Sequence, residues 1–257
     1  MSVIDARFGG ATFQGDSAFR GATFEGVAAV FREATFKGNA WFSGATFQGF
    51  AWFTDATFHG DAGFDSATFQ RRAGFDSATF QDAAVFDRAT FQDAAVFNKA
   101  TFRFTTWFTE ATFIGGTWFN EAAFQGDTQF NKATFQRAAQ FLEATFQRTA
   151  QFGNADFQSA ALFHGAKFQG YTWFDEAAFQ DIVGFGRATF QGAASFRRAQ
   201  VLQLNDFDRR RVWPDGWTVR PDPADPSRGM LVPAEHAKEP EPAVPPSDPP
   251  DTGSGTG

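Results

Sequence analysis

Residues 67–91 read ATFQRRAGFDSATFQDAAVFDRATF, with phenylalanines at 69, 75, 80, 86 and 91, alternately six and five residues apart. The beat begins at Phe8 and holds to Phe196. Each Phe centres a five-residue unit that opens on a small residue: Ala34, Ala40, Ala45 and Ala51 in most coils, Ser17, Thr106, Thr117, Thr128, Thr172 or Val183 in others. Every second unit is preceded by one extra residue, such as Asp16, Asn39, Asp61 or Arg72. Before Ala29 there are two, Val27 and Ala28, and the beat then resumes unchanged.

Neither regular helix nor flat strand fits this spacing. At about 100° per residue, steps of five and six put the rings on two separated helical stripes, and each interior Gly such as Gly38 or Gly60 costs a helix about 1 kcal/mol. In an extended strand a step of five sends successive rings to opposite faces. The chain therefore turns between units. With the small residue and the Phe both inward and a corner between units, four units close a coil of 22 residues. Phe36, Phe58, Phe80, Phe102, Phe124, Phe146, Phe168 and Phe190 then stack as one column, with three further columns at the same period. The 35 units make nearly nine coils, a rod about 40 Å long at about 4.8 Å per coil.

A small residue, any residue, Phe or Leu, then two polar or Gly residues is the pattern of the pentapeptide-repeat proteins, which residues 6–198 resemble. The resemblance implies an all-β fold, a right-handed quadrilateral parallel β-helix. The regular extra residue departs from the plain family pattern, so two corners of every coil are expected to be wider. Some members of the family inhibit or protect DNA gyrase with a rod of DNA-like shape and negative charge, which makes a DNA-mimic modulator of a type II topoisomerase the alternative to a plain interaction scaffold.

Composition bounds the rest. Thirty-eight Phe against one Tyr and two Met is a core made from one side chain, which a repeating environment selects. With no Cys, disulfides, thiolate metal sites and Cys nucleophiles are excluded. The N-terminus MSVIDARFGGATF lacks the basic and apolar regions of a signal peptide, and no stretch is apolar enough to span a bilayer, so the expected location is cytoplasmic with no membrane contact. The net charge of −7 makes direct binding to nucleic-acid phosphates unexpected. His59, His164 and His236 lie far apart in the coil register, with no nucleophile or metal-ligand spacing beside them, so the chain reads as a non-enzyme without cofactor or metal.

The outward positions supply the candidate sites. Two opposite faces carry Thr57, Thr79 and Thr101, and Thr46, Thr68, Thr90, Thr112 and Thr134; beside the first runs Gln81, Gln125, Gln147, Gln169 and Gln191, expected to hydrogen-bond up the column. An ice- or polymer-binding surface is a further alternative for these columns, although Lys37, His59, Arg103 and Lys167 interrupt one of them. The other two faces carry Trp41, Trp107 and Trp173, and Trp52 and Trp118, read either as a partner surface or as covers for neighbouring Gly and Val rungs. Carboxylates gather there too: Asp65, Asp87, Glu110, Asp175 and Glu176 on one face, and Asp55, Asp76, Glu121 and Glu143 on the other.

The expected organisation is a β-helix over 1–207, a cap over 208–232 and a disordered, Pro-rich acidic tail over 233–257; all eleven Pro lie at or beyond Pro214. Trp213 and Trp217 flank the turn Pro214-Asp215-Gly216 and are the candidate lid, while Arg209, Arg210 and Arg211 are an alternative basic docking site. Only seven residues precede Phe8, so two rods meeting end to end through their N-terminal coils is a further expectation. The protein partner itself is unknown from sequence.

Overall fold

The computed structural model describes residues 1–204 and 211–236; the expected tail, apart from its first four residues, lies outside the described residues, as do Arg209 and Arg210. Thr57–Phe58, Ala62–Gly63, Thr68–Phe69 and Ala73–Gly74 form one coil, each a two-residue strand. Each pairs in parallel with its equivalent in the next coil: Thr57 with Thr79, Ala62 with Ala84, Thr68 with Thr90 and Ala73 with Ala95. Four sheets result, called here the first to fourth face in the order of these strands; the third has 12 strands and the others 9. The fold is an all-β, quadrilateral parallel solenoid of about nine coils, as the beat of Phe implied.

The two corner types have different chemistry. In the five-residue corners the chain makes a tight turn: the Ala67 amide donates to the Phe64 carbonyl (3.0 Å) and the Ala78 amide to that of Phe75 (3.1 Å). The residue just before each Ala, Ser66 or Ser77, has φ of +55°. This left-handed residue recurs at every eleventh position from Glu33 to Arg198, and between them only 44 and 165 are Gly; Arg88, Lys99, Glu110 and Glu121 hold the same conformation. Each such residue costs about 1 kcal/mol, which the register above and below it outweighs. In the six-residue corners the extra residue spreads the bend, and His59–Asp61 needs no left-handed residue. Where two extra residues stand, Gly26 takes φ of +96° and Val27 is extruded to solvent, so the next strand resumes with Ala28 opposite Phe50.

Inside, Ala and Phe alternate in complete burial. Phe97 stacks in parallel on Phe75 (4.8 Å, 2°) and Phe119 (4.7 Å, 8°), and meets Phe86 and Phe108 edge to face across the rod (both 5.5 Å). Offset stacks along the columns and T-shaped contacts between second and fourth faces are the two favourable aromatic geometries. Where Thr replaces the small Ala, Thr106, Thr128 and Thr172 return their hydroxyl protons to carbonyls two residues back, at 3.3–3.5 Å. Among the described residues, buried Thr117 has no partner for its hydroxyl.

Both ends carry more than the beat implied. Ser2–Ile4 pairs with Thr23–Glu25 and adds a rung to the third face, with Val3 against the core and Ala6 buried; Phe8, Phe13 and Phe19 are half-buried. At the other end Arg211–Val212 pairs with Val183–Gly184, and Trp217–Pro221 and Gly229–Pro233 form an antiparallel hairpin joined to Gln200–Val201. Trp217 lies 4.9 Å from Phe196 and Trp213 lies 6.1 Å edge-on to Phe179. The hairpin runs past the boundary at 232: Pro233 ends the strand, and Ala234–His236 make a short turn whose Ala234 amide donates to Gly216 O (2.8 Å).

Candidate functional site

The expected carboxylates lie at corners, where most are engaged with the next coil. Asp87 Oδ1 accepts the Thr109 amide (2.8 Å), Asp175 Oδ1 the Arg197 amide (3.0 Å), and Asp65 Oδ1 the Ser43 hydroxyl (2.6 Å). Asn131, Asn98 and Asn120 use their side-chain oxygens in the same way on Gly153, Asn120 and Leu142. Burial pushes the carboxyls of Asp87 and Asp76 above the usual range, against the bonds from Thr109 and the pull of Arg72 and Asn98. Glu110 and Glu176 are left-handed corner residues that face Lys132 (3.5 Å) and Arg198 (3.5 Å), and Glu121 faces Lys99 (3.8 Å). The carboxylates form vertical ladders rather than one acidic field.

The Gln column does not form the ladder expected of it. Among the described residues no hydrogen bond joins Gln81, Gln125, Gln147, Gln169 or Gln191 to the next; Gln81 instead meets His59 Nδ1 at 3.0 Å. A corner Asp or Asn is short enough to reach one backbone amide in the adjacent coil and hold it, whereas a Gln on an open face gains little over water.

Four of the five expected Trp are partly covered. A Cβ placed on Gly63 would stand 2.8 Å from the Trp41 ring, and one on Gly74 2.8 Å from that of Trp52, so these rings lie flat over glycine rungs. Arg20 closes Trp41 from the other side (4.4 Å), and Arg32 (4.9 Å) and Arg72 (5.6 Å) flank Trp52, which also stacks on Phe50. Trp118 lies over Gly116, and Trp107 is half-buried between the Val85 and Gln129 rungs. Trp173 is the exception at 39% exposed, and it stacks at 6.4 Å on Tyr171, itself 60% exposed.

This pair marks an edge that the repeat pattern hides. Tyr171 stands at the corner between the first and second faces; three coils earlier the same corner carries Phe104, 59% exposed. Phe104 is off the Phe beat and Tyr171 is the single Tyr, which is the signal in the sequence that could have found them. Beside Phe104 lies a hollow of about 390 Å³ lined by Arg103, Phe104, Gln125, Gly126, Asp127 and Arg148. Gly126 lets the two coils approach closely at its base: a Cβ there would meet the Phe104 carbonyl carbon at 2.3 Å, so no side chain fits. Asp127 is occupied by the Thr149 amide (3.1 Å), while among the described residues the guanidinium groups of Arg103 and Arg148 have no hydrogen-bond or ion-pair partner. An exposed Phe beside two unpaired Arg, with the Tyr171–Trp173 pair further along the same corner, suits a protein surface that offers apolar side chains and a carboxylate.

The remaining predicted site residues fall elsewhere. Trp213 and Trp217 are in the cap over the last rings, and Arg211 donates to the carbonyls of Leu202 (3.0 Å) and Gln203 (3.1 Å). No group of three His, Cys, Asp or Glu able to hold a metal occurs among the described residues, and no helix there is long and apolar enough to cross a membrane. Searches of curated proteins and of solved structures found no match. A family model, that of pentapeptide repeats (9 copies), matches overlapping stretches 8–57, 44–89, 75–123, 86–134, 119–167, 130–178 and 152–200. With the coil register, the buried Phe columns and this match in agreement from residue 8 to residue 200, the chain belongs to the pentapeptide-repeat family.

Proposed function

We propose that the protein is a non-catalytic scaffold that holds a protein partner along the edge from Phe104 to Trp173, and that it works in the cytoplasm. The observation that carries this reading is that, among the described residues, Phe104, Tyr171 and Trp173 are the exposed aromatic rings, all others being buried or partly covered. Apolar rings on a rigid rod contact a partner at little entropic cost, because the backbone beneath them is already ordered. A DNA-mimic role has less support: Asp65, Asp87 and Asp175 are bonded within the rod, and Glu110 and Glu176 are faced by cations.

The test is paired affinity capture with the full chain and with a Phe104→Ala, Tyr171→Ala, Trp173→Ala variant. Surface truncations of this kind change stability by about 0.5 kcal/mol or less each, so an unchanged thermal melt certifies the variant. A partner captured by the parent chain and lost from the variant supports the edge. Equal capture by both moves the contact to another face. Inhibition of gyrase supercoiling that survives in the triple variant, and falls when the corner carboxylates are neutralised, would replace this reading with DNA mimicry.

A further inference from the structure

The cap carries a second, differently charged surface. Where the terminal hairpin extends the third face, a groove of about 430 Å³ is lined by Arg198, Arg220 and Arg228 over Gln200, Leu202 and Met230. An adjoining hollow of about 380 Å³ shares Arg198, Arg220 and Met230 and is closed by Arg197, Trp217 and Pro233. Strand register explains the floor: Gln200 pairs with Met230 and Met230 with Arg220, so the three stand side by side on the outward surface. Met230 is 41% exposed at its centre.

The guanidinium groups are only partly neutralised. Arg198 faces Glu176 at 3.5 Å with its side chain 77% exposed, and Arg228 faces Asp225 at 3.2 Å. The Asp225 carboxylate is itself held by Ser227, and that of Asp222, on the groove wall, by the Ala224 amide (2.9 Å). Arg220 has no partner among the described residues. An extended segment with carboxylates and apolar rings or prolines matches this groove: Arg takes carboxylates bidentately, and Pro packs on the thioether and the Arg stems.

We propose that the groove is the docking site of the chain's own acidic segment 237–257. Pro233 closes the adjoining hollow, which shares Arg198, Arg220 and Met230 with the groove, so three residues separate the segment from a residue beside the site it would fill. It carries Glu239, Glu241, Asp248 and Asp251, among prolines from Pro240 to Pro250, against one Lys. A tether this short gives an effective concentration on the order of 1 mM, so contacts too weak to hold a free peptide suffice here.

The chain offers its own probes. It has no Cys and two Met, one at residue 1 at the far end of the rod and one at 230 in the groove. Full-length Ser247→Cys carrying a nitroxide, with ¹³C-methyl methionine, reads docking as broadening of Met230 against Met1. With an intrinsic constant near the effective concentration, about half the molecules are docked and the Met230 signal falls about twofold relative to the reduced label. The Debye length shrinks from about 10 Å at 0.1 M salt to about 3 Å at 1 M, so high salt restores the signal. Arg220→Glu does the same, as does a tail with Glu239→Gln, Glu241→Gln, Asp248→Asn and Asp251→Asn, which leaves the folded groove untouched. Equal Met230 and Met1 signals at low salt would overturn the proposal. So would broadening that persists in the neutralised tail, or broadening that appears only between a spin-labelled chain and a separate ¹³C-labelled one.

Discussion

Replacing Phe97 with Ala tests whether the core is a chain of neighbour contacts rather than one pooled hydrophobic mass. Phe97 is fully buried, stacked on Phe75 and Phe119 and crossed by Phe86 and Phe108. Removing the ring forfeits about 3 kcal/mol of transfer free energy beyond what Ala retains. The four closest ring pairs add about 0.5 kcal/mol each, which brings the loss to about 5 kcal/mol, the upper end of the range for buried Phe→Ala. Phe13 is the control: half-buried near the N-terminal end, with one parallel stack on Phe36 (4.7 Å) and an edge contact to Phe8 (5.5 Å), its truncation costs about 2 kcal/mol. Urea titration followed by far-ultraviolet circular dichroism reads Phe13→Ala as a midpoint shift at the parent slope and Phe97→Ala as the shift of its first transition. Phe97→Ala shifts the midpoint at least twice as far, and it divides the transition in two, because coupling between the halves passes through that coil. Equal shifts for the two variants, with single transitions, would refute nearest-neighbour stacking as the source of stability.

Three further sets of substitutions probe the corners and the core polar groups. Asp76→Asn and Asp87→Asn keep an oxygen that accepts from the next coil, as Asn98 and Asn131 do, and remove a charge that burial disfavours, so the melting temperature at pH 7 rises. Because both folded pKa values lie above the unfolded value, the parent chain gains stability from these groups below that value and loses it as pH rises through the folded pKa; thermal melts from pH 3 to 7 show this slope flattened in the double variant. At left-handed Arg88 (φ +55°), Asn adopts the conformation more easily and raises stability by about 0.5 kcal/mol, while β-branched Val lowers it by about 1–2 kcal/mol, both read by urea midpoint. Thr117→Ala removes a buried hydroxyl without a partner and stabilises by about 1 kcal/mol, whereas Thr128→Ala also deletes a bond to Gly126 O and gains less; calorimetry separates the two.

Much of the candidate edge was absent from the sequence reading because a repeat draws attention to what recurs. Trp41, Trp107 and Trp173 stand out by their period of three coils, yet Arg20 covers the first and Val and Gln rungs flank the second. Phe104 and Tyr171 occur once each at a corner that small or polar residues fill elsewhere, and their value lies in not fitting. The carboxylates were legible as outward residues but not as ladder members, since a bond to the amide 22 residues on depends on how closely two coils approach at that corner.

The sequence by itself determined the coil. Alternating steps of five and six between Phe residues admit one closed geometry, and the strand register of 22 follows from it with the whole set of buried rings, because side-chain direction along an extended chain is a matter of counting. What faces outward obeys no such count. Which carboxylate is bonded, which Trp is covered, where Gly126 lets two coils approach, and how the hairpin lays Arg220 beside Met230 are set by distances between coils. Those distances are tertiary, decided by the packing of rings and corners together, and the binding surfaces of this rod are made of them.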